Sequence, residues 1–441
     1  MRYISTNNPN ISATLQEAVV RCVAPDGGLY LPEQIPVIPK AFFNNIEGMS
    51  LKEIAYVVGT SLFGSDISPE AVKSIVDDAL TFKVPLVRPD KSSDIRVLEL
   101  FHGPTLTFKD FGARIMAKIV EWIKTSGSAV EKPVKVLVST TGNTGAATAN
   151  GFRNIDGIDV YVLFPRGVMN RMQEAQFTAP GNNIHALEVG GTIDNCKELV
   201  SAALADESLN SKYSLIAANS INTGRLLPQV VYYFQAYARM RENDVKGCEN
   251  ATYAIPCGNM SNLVAAVIAK RMGLPMGRLI AAGNSNFRIT ADEVLGASSQ
   301  IPSRPQRTLA HSMDMTEPSN LDRLRALYRD CPERLREEIC FTAVDDQRIS
   351  DTINGLRAAT RYLVDPHTAT AYSAAYRLAP AGAPAVVLAT GHPAKSLDIM
   401  TGITGSVVEL PVQLNRFMAS HRRPTKMAPT LPAFKKNLTS V

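Results

Sequence analysis

Residues 134–145 read VKVLVSTTGNTG, an apolar run that ends in a loop of hydroxyl, amide and glycine residues. A short, β-branched apolar run with such an ending predicts a buried strand. The same pattern, followed each time by a helical stretch, recurs at residues 160–164, 184–189, 214–217, 252–255, 278–282 and 385–388. Continuous apolar strands that alternate with helices predict an α/β fold with parallel sheets covered on both faces.

The loops after these strands are the places where the sequence predicts chemistry. Ligands of parallel sheets bind at the carboxyl ends of the strands. Four of these loops are rich in Ser, Thr, Asn and Gly, which is more than packing requires, and they span residues 139–145, 219–225, 258–262 and 390–395. We therefore expect the functional site where these loops meet.

The chain is too long for a single core, since it has 441 residues. Helical patterning around residues 13–20 and 51–63, with turns such as PDGG at 25–28, predicts an N-terminal cap of short helices and loops. We predict three domains. They are an N-terminal cap at 1–95, a large cofactor-binding domain formed by 96–125 and 183–441, and a small α/β domain at 126–182.

Composition excludes several functional classes. With 45% hydrophobic and 20% charged residues, the chain has the balance of a globular protein. The N-terminus lacks an apolar targeting segment and no run of about 18 apolar residues follows, so we expect a cytoplasmic protein that is not inserted in a membrane. The six cysteines are scattered without CxxC spacing, which predicts reduced thiols rather than a metal site or a disulfide framework.

The net charge of +5 does not indicate nucleic-acid binding, because the basic residues are dispersed except in a tail around residues 422–436. A mild basic excess suits an anionic metabolite equally well.

Lys109 lies in FHGPTLTFKDFG at 101–112, between two phenylalanines and just before a predicted helix at 113–123. Apolar neighbours disfavour the ammonium form, and an uncharged amine is what Schiff-base chemistry needs. Spacing alone also fits an ordinary surface lysine at a helix start. Asp110 is read as a helix-start residue and His102 as a structural hydrogen-bonding group.

Three of the strand-end loops have anion-binding features. Hydroxyls and backbone N–H groups at 139–145 precede a helix and suit a carboxylate or a phosphate, although a generic polar turn has the same composition. The segment CGNMSN at 257–262 has the layout of a phosphate cradle but lacks the Gly-Lys-Ser/Thr ending of nucleotide-binding loops. Arg225, which ends NSINTGR at 219–225, suits bidentate phosphate recognition, and a solvated arginine is the alternative.

Taken together, these segments resemble the threonine synthase family, whose members are fold type II pyridoxal-phosphate (PLP) enzymes. The lysine segment HGPTLTFKDFGAR is similar to the family's PLP-lysine motif almost letter for letter. The resemblance covers about nine tenths of the chain, and its other segments are APDGGLY at 24–30, SINTGRLLPQVVYYFQAY at 220–237, HSMDMTEPSN at 311–320, DPHTATAY at 365–372 and GHPAK at 391–395.

The resemblance implies two open parallel-sheet domains with an N-terminal helical cap, and a role for each matched residue. Lys109 would carry PLP as a Schiff base and move protons between the substrate's α and β carbons. The other implied cofactor contacts are Asn143 to the 3-oxygen, Thr390 to the pyridine nitrogen, and Gly258, Asn259, Met260, Ser261 and Asn262 to the phosphate. The implied substrate contacts are Ser139, Thr140, Thr141 and Thr144 to the carboxylate, and Asn219, Ser220 and Arg225 to the substrate phosphate.

The implied activity is that of a PLP-dependent lyase of amino-acid biosynthesis. It would convert O-phospho-L-homoserine and water into L-threonine and phosphate by γ-elimination and β-addition. The expected partner is therefore a small phosphorylated amino acid, and the chain is expected to be a monomer or a homodimer.

The sequence departs from the family pattern within the implied site. The family usually has Asp or Asn at 143, which Asn143 matches, but it has Phe-Gly or Ala-Gly where Met260 and Ser261 stand, a bulkier or different residue where Thr223 stands, and Phe where Ser396 stands. A serine at 261 matters most, because a cradle glycine can be needed for positive φ or for close approach to phosphate.

Three alternatives therefore stay open. The first is a threonine synthase-like phospho-lyase that releases a 2-oxo acid and ammonia, and the second is a paralogue of a specialised pathway that adds a nucleophile other than water. The third is a PLP-binding protein without turnover. The presence of both Lys109 and Arg225 argues against this third alternative.

Overall fold

The computed structural model describes residues 1–126, 130, 132–296 and 304–439. The strands of this part of the chain are β1 (Tyr3–Ser5), β2 (Ser12–Ala13), β3 (Tyr30–Pro32), β4 (Leu86–Val87), β5 (Ile95–Glu99), β6 (Val134–Ser139), β7 (Ile158–Pro165), β8 (Ile184–Val189), β9 (Ser214–Ala217), β10 (Thr252–Pro256), β11 (Leu279–Gly283), β12 (Ile339–Ala343), β13 (Ala385–Ala389) and β14 (Thr425–Met427).

Helices connect and cover these strands. They are α1 (Leu15–Arg21), α2 (Lys40–Asn45), α3 (Leu51–Phe63), α4 (Pro69–Ala79), α5 (Lys109–Thr125), α6 (Asn143–Gly151), α7 (Arg171–Thr178), α8 (Ile193–Leu204), α9 (Glu207–Asn210), α10 (Thr223–Leu226), α11 (Val231–Glu242), α12 (Ser261–Arg271), α13 (Ala291–Val294), α14 (Leu321–Tyr328), α15 (Pro332–Glu338), α16 (Asp346–Thr360), α17 (Pro366–Leu378), α18 (Leu397–Thr404), α19 (Val412–Ala419) and α20 (Leu431–Thr439). Short 3-10 helices lie at Ile46–Gly48, Gly64–Asp66, Leu227–Val230, Cys248–Asn250, His311–Met313 and Pro393–Ser396.

The first sheet has six strands in the order β12-β11-β10-β13-β5-β4. All its neighbouring pairs are parallel except β4 with β5. Its central strands β10 and β13 are buried along their whole length, as expected for apolar runs covered on both faces. The sheet orients the loops after β10 and β13 toward one edge, which holds the segments 258–262 and 390–395.

The second sheet has five strands in the order β14-β8-β7-β6-β9, and all its pairs are parallel. It orients the loops after β6 and β9 toward one edge. Strands β8, β9 and β14 pair here, so the predicted assignment of everything beyond residue 182 to the large domain is wrong for these strands. Strand β8 pairs with β7, β9 with β6, and β14 with β8, and none of them pairs with the first sheet.

The N-terminal region contains the predicted helices, α1 and α3. Each begins with a capping box, Thr14 with Glu17 and Ser50 with Glu53. It also contains an antiparallel three-stranded sheet in the order β2-β1-β3, which the predicted cap of helices and loops lacked.

Two further properties follow from the described residues. None of their helices has both the length and the apolar composition needed to cross a membrane. All six cysteines are free thiols, in agreement with the scattered spacing of the sequence.

Candidate active site

Lys109 is the first residue of α5, four residues earlier than the predicted helix start. Its side chain is half-buried, and its Nζ donates to Thr144 Oγ1 at 3.0 Å. Burial, with a smaller contribution from the guanidinium of Arg225, lowers the pKa of Lys109 to about 8. The structure therefore excludes the reading of Lys109 as an ordinary surface lysine.

The segment before α5 is held by the loop after β13. Phe108 N and Thr107 Oγ1 both donate to the carbonyl oxygen of Thr390, at 3.0 and 3.1 Å. His392 N donates back to Leu106 O at 3.1 Å, and Leu106 itself has a φ of 59°, in the left-handed region. A leucine is rarely found in that region, so these bonds fix a backbone conformation that the local sequence does not favour.

Asp110 stabilises the same turn. Its buried carboxylate accepts from Thr105 N at 2.9 Å and from Thr105 Oγ1 at 2.6 Å, and burial raises its pKa. A Cβ on Gly103 would lie 2.3 Å from Asp110 Oδ2, so only glycine allows this close approach. The structural role read from the sequence for Asp110 agrees with these contacts.

The loop after β6 contains both buried, hydrogen-bonded residues and an exposed one. Thr140 is buried, and its Oγ1 accepts from Gly142 N and Gly145 N, both at 2.9 Å. Thr141 is exposed, whereas Thr144 reaches the side chain of Lys109. Gly142, with a φ of 135°, leads into α6, which begins at Asn143.

The loop after β9 is tied to its neighbours on both sides. Asn219 donates through Nδ2 to Ser139 O at 3.0 Å and accepts from Ser139 N at 3.3 Å. Ser220 Oγ accepts from Asn259 Nδ2 at 2.8 Å and from Asn320 Nδ2 at 3.2 Å. The loops of the two sheets therefore meet at these side chains.

Arg225 lies in α10 and is only 5% exposed. Its Nη1 contacts Thr148 Oγ1 at 3.4 Å, and no carboxylate among the described residues comes within ion-pair distance. Burial lowers its pKa to about 10, against an opposing effect of the Asp110 carboxylate, which lies beyond ion-pair distance. A buried guanidinium without a carboxylate is costly unless an anion joins it, so the solvated-arginine alternative fails.

The loop after β10 has its positive φ at Met260, with a value of 63°, and not at Ser261. Ser261 is the first residue of α12, and its Oγ lies 3.1 Å from Asn259 Oδ1 and 3.4 Å from Gln229 Oε1. Ser261 therefore does not occupy a backbone conformation that requires glycine. The left-handed residue is one position earlier and is a buried methionine.

Asn262 is held by two tyrosines at the start of α12. The hydroxyls of Tyr232 and Tyr233 each donate to Asn262 Oδ1 at 2.6 Å. Asn262 Nδ2 is buried and has no hydrogen-bond partner in the described chain. An orphaned amide at a helix N-terminus, where backbone N–H groups also lack helical partners, is an anion-binding feature.

One pocket joins the amine, the guanidinium and the loops. Its lining residues are Phe108, Lys109, Gly112, Thr144, Asn219, Ser220, Arg225, Gln229, Asn259 and Ser261. The structure thus brings together seven of the predicted site residues. The lining does not include Ser139, Thr140, Thr141, Asn143, Gly258, Met260, Asn262 or Thr390.

The prediction missed two groups of residues. Phe108, Gly112 and Gln229 line the pocket. Buried Arg323 stabilises the backbone of the loop after β9, because it donates to Ser220 O at 2.9 Å and to Ile221 O at 2.6 Å. Gln229 and Gly112 lie within the family-like segments quoted above, and this position could have identified them as site residues from the sequence. Arg323 lies outside them.

Comparisons with known proteins give the family of the chain. A family model described as pyridoxal-phosphate dependent enzyme matches residues 82–391, and one described as threonine synthase N terminus matches residues 2–80. The chain is 34% identical to a threonine synthase of Escherichia coli (strain K12) over 94% of both chains.

Solved structures show the same similarity. The crystal structure of threonine synthase from Escherichia coli has a TM-score of 0.89 and 32% identity, with 99% of both chains covered. The structure of PLP-bound threonine synthase from Brucella melitensis has a TM-score of 0.89 and 30% identity, with 99% of this chain and 98% of that chain covered. The chain therefore belongs to the threonine synthase family of pyridoxal-phosphate-dependent enzymes.

Proposed function

We propose that this enzyme converts O-phospho-L-homoserine and water into L-threonine and phosphate. The observation that carries the proposal is the buried guanidinium of Arg225, which has no carboxylate partner in the described chain and lines the same pocket as Lys109. A substrate phosphate would supply the missing negative charge.

The residues present fit PLP. Lys109 provides an amine whose lowered pKa makes the uncharged form accessible near neutral pH. The orphaned Nδ2 of Asn262 and the N-terminus of α12 are suited to a phosphate. In this assignment the segment 258–262 holds the cofactor phosphate, Asn143 the 3-oxygen and Thr390 the ring nitrogen.

The hydroxyl of Thr390 supports its assignment, because its carbonyl oxygen is used by Phe108 and Thr107 while no hydrogen bond to its hydroxyl is found in the described chain. A neutral hydroxyl beside the ring nitrogen does not favour its protonation as a carboxylate would. The ring would then withdraw electrons less strongly.

Substrate binding divides between two loops. Thr144 and the segment 139–141 would take the carboxylate, and Ser220 and Arg225 the phosphate. The Oγ of Ser220 accepts two amide hydrogen bonds, which leaves its own proton to donate to a phosphate oxygen. Both polar ends of the Asn219 amide bind Ser139, so Asn219 supports the proposal by holding the carboxylate loop against the phosphate loop.

The chemistry divides between cofactor and protein. Bound PLP stabilises negative charge on the substrate carbons. The Lys109 amine would hold one proton at a time: it would take the proton of the α carbon, pass it on, and then take the proton of the β carbon, while the Cγ–O bond breaks to release phosphate. One proton would return to the γ carbon and one to the α carbon. The oxygen of water would bind the β carbon and the proton that this water loses would go to the released phosphate, which gives threonine. Arg225 stabilises the leaving phosphate where its charge develops.

The test is incubation of purified, PLP-loaded enzyme with O-phospho-L-homoserine, followed by assays for threonine, phosphate, 2-oxobutyrate and ammonia. Threonine and phosphate in equal amounts support the proposal. 2-Oxobutyrate with ammonia would instead establish the phospho-lyase alternative.

Arg225→Met provides the matched test of the phosphate site. We expect its KM for O-phosphohomoserine to rise at least thirty-fold, equivalent to about 2 kcal/mol. Inhibition by unphosphorylated L-homoserine should stay within about three-fold of wild type. Equal losses for both compounds would remove Arg225 from phosphate binding.

Cytoplasmic location and the monomer or homodimer state stay predictions.

A further inference from the structure

A second lysine, Lys395, is buried beside the segment that carries Lys109. Its side chain is 6% exposed and lies in the 3-10 helix Pro393–Ser396 that follows β13. Its Nζ donates to Thr105 O at 3.0 Å and to Gln176 Oε1. No carboxylate of the described chain lies within ion-pair distance of it, so its two partners are both neutral oxygens.

These hydrogen bonds join three separate segments. Lys395 follows a strand of the first sheet, Thr105 precedes α5, and Gln176 lies on α7 between two strands of the second sheet. Gln176 Nε2 donates to Met172 O at 3.1 Å within α7, which leaves Oε1 to accept from Lys395. The amine is therefore a polar link between parts of the two sheets.

An apolar cluster accompanies this link. It is composed of Leu106, Met172, Ala394 and Leu414, of which Leu106 follows Thr105 and Ala394 precedes Lys395 in the chain. Because Leu106 belongs to the segment before α5 and Met172 to α7, the cluster spans the same contact as the Lys395 hydrogen bonds. Both hydrogen bonds of Lys395 are buried, and buried hydrogen bonds are costly to break, since the freed groups are left without water.

The link leads directly to Lys109. The carbonyl oxygen of Thr105 accepts from Lys395, and the backbone N–H and hydroxyl of Thr105 both donate to the carboxylate of Asp110. Asp110 is the residue after Lys109. Burial lowers the pKa of Lys395 to about 7, while Asp110 favours and Lys109 disfavours its charge. The charge of Arg114, one turn further along α5, favours the ionised form of Asp110 and so acts to lower its pKa. The charge of Lys395 in turn acts to lower the pKa of His392.

We propose that Lys395 is a positioning residue, which holds the segment 103–110 against α7 so that the amine of Lys109 points into the pocket. The inference rests on the proposed role of Lys109 as the PLP-binding residue. Lys395 does not line the pocket, so it acts through Thr105 and Asp110 rather than on the substrate.

The test is Lys395→Met, which keeps the volume but removes the donor. We expect kcat to fall at least ten-fold while KM for O-phosphohomoserine stays within about three-fold, and PLP to bind at least ten-fold more weakly in titrations followed by its visible absorbance. Lys270→Met is the control, because Lys270 is a half-buried lysine that, like Lys395, donates to a backbone oxygen, Gly277 O at 2.9 Å, and it does not line the pocket. It should keep wild-type values.

Gln176→Leu keeps the amine but removes one acceptor, so it decides the question if Lys395→Met does not fold. We expect it to lower kcat about three- to ten-fold. Combined with Lys395→Met it should add no further loss, because both changes break the same bond. Wild-type kcat and PLP affinity in either folded variant, or additive losses in the double variant, would overturn the proposal.

The PLP titration also separates this inference from the proposed function. If the wild type makes no threonine from O-phosphohomoserine, the proposed reaction fails, but the titration needs no substrate. Weaker PLP binding by Lys395→Met would still support the positioning role, and unchanged binding would refute it.

Discussion

Gly112 offers the sharpest structural test of the pocket geometry. It lies in the first turn of α5, and a Cβ there would be 2.4 Å from Arg225 O and 3.3 Å from its carbonyl carbon. Both are backbone atoms, so no side chain can rotate away. To restore even 3.0 Å to the oxygen, Gly112→Ala must separate α5 and α10 by about 0.6 Å, the difference between 3.0 and 2.4 Å.

That displacement moves Arg225 away from Lys109. Overpacking of this kind costs about 1–3 kcal/mol, partly offset by about 1 kcal/mol of helix propensity that alanine gains over glycine. We expect a net loss in unfolding free energy of about 0–2 kcal/mol. Misplacement of reacting groups by about 1 Å can cost two orders of magnitude in rate, so we expect kcat/KM to fall about 10- to 100-fold.

Steady-state kinetics with O-phosphohomoserine, and denaturant unfolding of the same samples, measure both effects. The matched control is Gly355→Ala, because Gly355 is also inside a helix, α16, and a Cβ there meets no atom within 4 Å. It should gain about 0.5–1 kcal/mol in stability with unchanged kinetics. If Gly112→Ala behaves like this control, the close packing of α5 against α10 is refuted.

Two other predictions concern the amine and the loop support. The pKa of Lys109 is lowered to about 8, so its amine is mostly uncharged above that pH. The rate of PLP attachment to cofactor-free protein should therefore drop about ten-fold per pH unit below 7 and level off above about 9. A flat rate from pH 6 to 9 would contradict this prediction. Arg323→Met should lower the unfolding free energy by about 3–5 kcal/mol in denaturant unfolding, because buried Arg323 donates to three backbone oxygens and to Asn320. The control is Arg325→Met, which should cost about 1 kcal/mol or less, because Arg325 lies on the same helix but is exposed and donates to two backbone oxygens. Equal losses in the two variants would refute the support role of Arg323.

Much of the fold could be predicted because its central strands are continuous apolar runs. Segments 184–189 and 214–217 were predicted with the bounds that the structure has. Strand β5 was missed because Arg96 and Glu99 interrupt its apolar pattern. Strand β14 could not be assigned, because it has three residues and pairs with β8 more than 200 positions earlier in the chain. Strands β8 and β9 also join this sheet, through β7 and β6, so the predicted boundary at 182 divides the sheet.

The site was predictable to the extent that its residues carry local signals. Hydroxyl-rich strand ends and a lysine between phenylalanines are such signals, and Lys109, Thr144 and Arg225 do meet in one pocket. Arg323 has no local signal, since its value lies in contacts with backbone oxygens about 100 and 290 residues away. The buried Oγ of Thr223 has no partner in the described chain, and nothing in the structure explains why threonine stands there.

The central claim is that Lys109, and no other lysine, binds the cofactor. Lys395 is the natural competitor, because its pKa is lowered even further, to about 7, yet its amine faces Thr105 and Gln176 rather than the pocket. Borohydride reduction of the PLP-loaded enzyme, followed by proteolysis and mass spectrometry, locates the modified lysine. We predict a single cofactor adduct on Lys109 that is absent from Lys109→Ala, whereas an adduct on Lys395, or one that persists in Lys109→Ala, would contradict the account.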